Sequence, residues 1–119
     1  MNYTRANAKT HARAHMRGIW AAALMPFKAD GSLDEAGFTA NIDHWITDLG
    51  VAGFFIAGKQ GEFFSMSVPE RKRTFEIAVA AARGRSRTVM SCSDTNLDVV
   101  IELARHHLGR FVIGAEGVG

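Results

Sequence analysis

Residues Gly53 to Gln60, GFFIAGKQ, come within one position of the G-x-x-x-x-G-K-[ST] pattern that cradles nucleotide phosphates. Two features oppose that chemistry. The four residues between the glycines should wrap phosphate oxygens with backbone N–H groups, yet Phe54, Phe55, Ile56 and Ala57 read as strand interior. The magnesium-ligating hydroxyl is replaced by Gln60, a poor substitute, and no helix start follows Lys59 directly. The loop Gly58-Lys59-Gln60-Gly61-Glu62 still stands at the C-terminal end of a strand, where parallel α/β folds bind ligands. Two glycines permit a tight turn and close approach of backbone to ligand. Lys59 or Gln60 could present a charge or an amide to a carboxylate. The plainer reading is a connecting loop with a solvated lysine. We take Gly58, Lys59, Gln60 and Gly61 as the candidate binding residues.

Ser91-Cys92-Ser93-Asp94 ends the next strand at the same mouth. Its hydroxyls and thiol could line a polar pocket, but they also read as turn and cap residues with Cys92 a small buried hydrophobe. No base that would activate Cys92 is identifiable. The histidines give no metal pattern. His11 and His15 share a helical face in the N-terminal segment, His44 lies beside Trp45, and the adjacent His106 and His107 point to different faces. Neither H-E-x-x-H nor C-x-x-C occurs, so no metal and no cofactor is expected. Arg71-Lys72-Arg73, interleaved with Glu70 and Glu76, reads as a solvated helix face.

The elements that must hold these residues fit one domain. The chain has 119 residues, 47% hydrophobic and 22% charged, an ordinary globular composition. Its single cysteine excludes an intrachain disulfide, and no apolar run approaches the ~18 residues a membrane span requires. A cytoplasmic location is expected, with no membrane partner. The net charge of +2 is unevenly spread. Residues 1–17 carry Arg5, Lys9, Arg13 and Arg17 and no acid, which leaves ten of the fourteen basic residues against twelve acidic ones in the remainder. A nucleic-acid partner, which would want a basic patch on the folded body, is not expected. The first 17 residues read as a basic, disordered leader, with Met16 a second candidate start. Residues 18–119 read as the domain.

Within that domain a unit recurs. Ile19 to Leu24 is a short apolar run, and Ser32 with Glu35 matches a capping box. Phe38, Ile42, Trp45, Ile46 and Leu49 follow at helical spacing, and Gly50 is a natural stop. Gly53 to Ala57 is apolar on both faces, as a strand covered by helices must be. Ser67-Val68-Pro69-Glu70 opens a second helix with stripe Phe75, Ala78, Val79 and Ala82, and Gly84 lies just past it. Thr88 to Cys92 is a third strand, and Thr95 to Asp98, a weaker capping box, opens a helix through Val100, Leu103, Ala104 and His107. Phe111 to Ile113 reads as the start of a fourth strand. Strand, loop and capped helix in repetition make the βα unit of a parallel α/β fold. Periodicity alone does not separate an open doubly wound sheet from part of a (β/α)8 barrel.

Three segments together resemble a known family. GIWAAALMPFKADGSLDEAGF resembles the first strand, Thr-Pro-Phe-like corner and first helix of the dihydrodipicolinate synthase / N-acetylneuraminate lyase family. LGVAGFFIAGKQGEFFSMSVPERKR resembles its second strand, its Gly-Thr-Thr-Gly-Glu loop and its second helix start. The third strand with Ser93 to Asn96 also fits, so the resemblance runs over about residues 18 to 108. It implies the N-terminal portion of a (β/α)8 TIM barrel, about three βα units plus the start of a fourth strand. It also implies class I lyase or aldolase chemistry on pyruvate or another small 2-oxo acid. A lysine from the sixth strand forms the Schiff base, a tyrosine after the fourth strand works with a loop threonine, and the loop holds the substrate carboxylate.

Departures from that pattern shape the expectation. Lys59 and Gln60 replace the usual pair of threonines, which removes the hydroxyl relay while Gly58, Gly61 and Glu62 keep the backbone of the grip. Met25 stands where the family usually has threonine. The regions that would supply the Schiff-base lysine and the tyrosine have no counterpart, so no catalytic residue is assigned and the chain is expected to be a truncated one, inactive alone, as a frameshift or premature stop would leave it. A barrel needs ~250 residues, and part of one has an open edge and an uncovered face. The alternatives are a non-enzymatic half-barrel that self-associates or pairs with a C-terminal half, and a small nucleotide-binding α/β domain. A homo-oligomer is expected if the chain folds.

Overall fold

The computed structural model describes the backbone of residues 3–114 and the side chains of residues 3–107. Three short parallel strands form one sheet: β1 (Trp20–Ala22), β2 (Gly53–Ile56) and β3 (Arg87–Met90), in the order β1-β2-β3. Gly53 pairs with Trp20 on one side and Arg87 on the other. The Ala23 N–H donates to the Phe55 carbonyl and the Ser91 N–H to the Ile56 carbonyl, both at 3.0 Å, so each ladder runs past its strand end. A helix follows each strand: α2 (Glu35–Thr47), α3 (Val68–Ala82) and α4 (Leu97–Gly114). Helix α2 packs on α3, and α3 on α4. The strand order never reverses, so crossovers of one hand place all three helices on the same face. This is the arrangement of a barrel segment; one half of a doubly wound sheet shares it, since such a sheet reverses its order only between halves.

Side chains alternate across each strand. Phe54 and Ile56 face the helices and are 0% exposed, and the Phe54 ring lies 5.8 Å from Trp45 of α2. Phe38 and Ile42 of α2 and Ile77, Ala78 and Ala81 of α3 complete this core. A second contact holds α4, where buried Leu103 and His107 meet α3, the His107 ring lying 4.4 Å from Phe75. On the other face of the sheet Phe55 is 40% exposed, with Ala22 and Val89 as its in-register neighbours. Trp20 lies over Gly53, where a Cβ would meet the indole at 2.5 Å. No helix packs on this inner face among the described residues, and it is partly exposed. The apolar pattern of GFFIA suggested cover on both sides, whereas only the helical side has it.

Capping corrects two helix starts. Ser67 and Glu70 form the predicted box at α3: the Ser67 N–H donates to Glu70 Oε2 at 2.8 Å, and Ser67 Oγ accepts from the Glu70 N–H at 3.4 Å. The Ser32–Glu35 box does not form. Asp34 caps α2, its Oδ1 accepting from the Gly37 N–H at 3.0 Å, while Ser32 donates to Asp30 in the preceding turn. That turn holds Ser32 away from the helix, and Glu35 is drawn across to Arg73 on α3. Helix α4 likewise starts at Leu97, after Asx turns on Asp94 and Asn96 rather than a box from Thr95. Leu49 falls beyond α2 and is exposed.

One further expectation is overturned. The fourth strand read at Phe111 to Ile113 is part of α4, which continues through Gly114. A short apolar run does not distinguish strand from helix, and a glycine such as Gly109 inside a helix costs only about 1 kcal/mol. Residues 1–17, read as disordered, contain helix α1 (Ala8–His15), which buries none of its residues. Along it the Tyr3 and His11 rings lie 4.7 Å apart and tilted, and the His11 and His15 rings stack at 4.0 Å.

The caps make a differential prediction. Ser67→Ala should cost about 1 kcal/mol, whereas Ser32→Ala should change stability by less than about 0.5 kcal/mol. Equilibrium urea unfolding checks both, and equal losses would contradict the assigned caps.

Candidate functional site

The C-terminal ends of the three strands deliver three loops to one end of the sheet. The β2 loop has unusual backbone geometry. Ala57 and Glu62, neither a glycine, sit in the left-handed region with φ of 50° and 57°, a conformation such residues adopt only where the surroundings enforce it. The loop closes on itself, the Glu62 N–H donating to the Lys59 carbonyl at 3.0 Å and the Phe63 N–H to the Gly58 carbonyl at 3.3 Å. Among the described residues the N–H groups of Gly58, Lys59, Gln60 and Gly61 donate to no protein acceptor. Successive free N–H groups in such a turn form a concavity suited to an anion.

Each glycine has a packing role. At Gly61 a Cβ would lie 3.0 Å from the Ala23 carbonyl oxygen and 3.2 Å from the Ala57 Cα, so the loop is pressed against the end of β1. At Gly58 it would meet the exposed Phe55 ring at 2.4 Å. Both glycines are buried, while Lys59 and Gln60 project into solvent. The side chains of Lys59 and Gln60 make no hydrogen bond or ion pair among the described residues. The four candidate residues therefore stand together at the strand mouth. The phosphate-loop alternative fails on the backbone: Gly53–Ile56 is strand, the loop runs into a single 3-10 turn at Phe63–Ser65, and the next α-helix starts only at Val68.

The β3 loop is tied down internally. Ser91 Oγ donates to Ser93 Oγ at 3.1 Å and accepts from the Ser93 N–H at 3.3 Å. Burial pushes the Cys92 thiol up, outweighing the opposing effect of the nearby Arg71 charge, so it is a poor nucleophile near neutral pH. Met25 does not line the mouth. It is buried, its sulfur 4.0 Å from Thr74 Oγ of α3.

Sequence reasoning missed Arg71. Within an Arg-Lys-Arg run it read as solvated, yet it is 1% exposed. Its Nη1 donates to Asp94 Oδ2 at 3.1 Å, and its Nη2 to the Ser93 carbonyl at 2.8 Å and more weakly to that of Ser91 at 3.4 Å. The guanidinium also lies 5.1 Å from the Phe63 ring centroid. The signal was present in Asp94, an acid placed in the loop after β3. Arg73 and Lys72 behave as expected, pairing at the surface with Glu35 and Glu102. The Arg73 guanidinium holds the Glu35 carboxyl below its ordinary range. That pair sits in a cleft of about 250 Å³ between α2 and α3, which its own counter-charges occupy.

Comparison with known proteins is consistent across sequence and structure. Residues 15–118 match the dihydrodipicolinate synthetase family. An N-acetylneuraminate lyase of Clostridium perfringens is 37% identical over 90 residues, 76% of this chain and 31% of the relative. CdNal of Clostridium difficile, solved in complex with mannosamine, has a TM-score of 0.76 at 33% identity over 79% of this chain and 32% of its own. YagE of E. coli K12, a prophage protein of the dihydrodipicolinic acid synthase family solved with pyruvate, has a TM-score of 0.74 at 34% identity over 83% of this chain and 32% of its own. The chain thus spans about a third of the length of these relatives.

The loop glycines should respond unequally. Gly61→Ala pushes against backbone and should cost about 1–3 kcal/mol. Gly58→Ala meets a ring free to swing and should cost less than about 1 kcal/mol. Urea unfolding of both variants checks this, and the reverse order would contradict the packing of the loop on β1.

Proposed function

The chain belongs to the dihydrodipicolinate synthetase family, and we propose that its Gly58–Gly61 loop is the carboxylate-binding corner of a Schiff-base lyase or aldolase acting on pyruvate or another 2-oxo acid. One observation carries this reading. Four consecutive loop N–H groups, from Gly58 to Gly61, find no acceptor among the described residues at the C-terminal end of β2, where barrel sites assemble. A carboxylate accepting several such bonds is held by backbone alone, so the grip does not need the threonine pair that Lys59 and Gln60 replace. Lys59 adds a mobile positive charge beside it.

The chemistry of such a site follows from the imine. A lysine amine condenses with the keto carbon and water leaves. The protonated imine then accepts the electron pair of the adjacent breaking bond. In this reading the chain by itself supplies the carboxylate corner and not that amine. Its lysines lie in α1 (Lys9), in the turn before α2 (Lys28), on the β2 loop (Lys59) and on α3 paired with Glu102 (Lys72). None belongs to a strand facing the sheet interior. Proton transfer of the usual kind is likewise absent from the loop, because neither Lys59 nor Gln60 bears a hydroxyl.

The uncovered inner face of the sheet supports a second reading, a partial barrel that self-associates. Ala22, Phe55 and Val89 lie in register there, and Leu24, two residues beyond Ala22, is 59% exposed. Both outer strands offer unpaired edges.

Two experiments test these readings. Borohydride added to the chain with pyruvate should trap no lysine adduct, while pyruvate should shift the amide resonances of Gly58 to Gly61. A trapped adduct mapped by mass spectrometry would refute the division of labour, and unshifted loop amides would refute the carboxylate corner. Light scattering should show a defined oligomer; a folded monomer would end the second reading.

A further inference from the structure

We infer that Arg71 is a positioning residue that couples the two mouth loops, so that the Gly58–Gly61 loop and the Ser91–Asn96 loop hold or lose their geometry together. The inference rests on the carboxylate-corner reading for its consequence but not for its geometry. Arg71 reaches both loops from α3. On one side it binds Asp94 and the carbonyls of Ser91 and Ser93. On the other its guanidinium stands against the ring of Phe63, and the Phe63 N–H donates to the Gly58 carbonyl at the base of the candidate loop. The path from one loop to the other is therefore contiguous: Gly58, Phe63, Arg71, then Ser93 and Asp94.

Stability alone is a weak explanation for this arginine. Buried ion pairs are often replaceable by apolar groups at little cost, since desolvation offsets their attraction. Here the Nε–H is buried with no partner among the described residues, a further cost. What an apolar residue could not do is bind two carbonyls and a carboxylate on one loop while presenting a flat cationic face to an aromatic ring on the other. A lysine could reach Asp94 but has no such fork. The Ser91 hydroxyl depends on the same clamp, because the carbonyls that Arg71 holds set the turn in which Ser91 and Ser93 bond each other.

The test is amide hydrogen exchange across the whole chain in wild type, Arg71→Met and Arg71→Lys, with thermal melts on the same samples. In Arg71→Met, exchange should rise at least tenfold at the hydrogen-bonded amides of both loops, Glu62, Phe63, Ser65 and Met66 on one side and Ser91, Ser93 and Asn96 on the other, while β2 amides change only as far as the melting temperature dictates. Arg71→Lys should fall between the two. A rise confined to one loop, or a uniform rise that simply tracks global stability, would overturn the coupling. Should Arg71→Met fail to fold, Phe63→Leu gives the second probe: loosening Phe63 must raise exchange at Ser91–Asn96, and an unchanged β3 loop would overturn the proposal. Pyruvate titrated into the same samples separates the two readings. If wild-type amides shift, Arg71→Met should need at least fivefold more pyruvate for the same shift. Coupled exchange without any pyruvate shift in wild type would support the coupling and end the carboxylate corner.

Discussion

The central strand β2 is the constraint from which the rest follows. It is hydrogen-bonded on both sides, so its register sets where β1 and β3 can lie. Its Phe54 and Ile56 have no exposure at all and anchor the packing of α2 and α3. A parallel neighbour cannot be reached by a tight hairpin, only by a crossover. Once β2 pairs on both flanks in chain order, three helices must line one face. The mouth loops then necessarily emerge together, because parallel strands all end on the same side.

The same pairing places the candidate loop under tension. The strand leaves the sheet at Ala57 with a left-handed φ, and the chain returns through a second left-handed residue at Glu62. Such backbone persists only if its surroundings over-determine it. Here Gly61 is pressed onto the Ala23 carbonyl and Phe63 onto Arg71. The free N–H groups are thus a by-product of a turn too tight to satisfy them internally.

The two faces of the sheet make opposite demands. Toward the helices, alternation buries Phe54 and Ile56. Toward the interior, Phe55 and Leu24 are exposed, and the Trp20 indole lies against Gly53. An apolar surface of this kind is normally a contact surface. In a closed barrel it is the packed centre, and the relatives, about three times longer, have the length for one.

Much of this was readable from residue patterns, because it depends on neighbours in the chain. Helix α3 begins where Ser67 and Glu70 sit three apart, and β2 lies where four apolar residues follow a glycine. The candidate loop is marked by its two glycines. Interactions between distant residues were not readable. Glu35 looks like a cap partner of Ser32, but the fold offers it Arg73 instead. Phe111 to Ile113 suits strand and helix equally by pattern, and the structure continues α4 through it. Arg71 is one of three adjacent basic residues on one helix, and nothing local separates it from Arg73. Only the packing of α3 against the β3 loop turns it inward, because that packing brings Asp94, two carbonyls and an aromatic ring within reach of one guanidinium. The sequence by itself determined the βα repeat and the place of the loop; the tertiary structure decided which charge is buried and which face stays open.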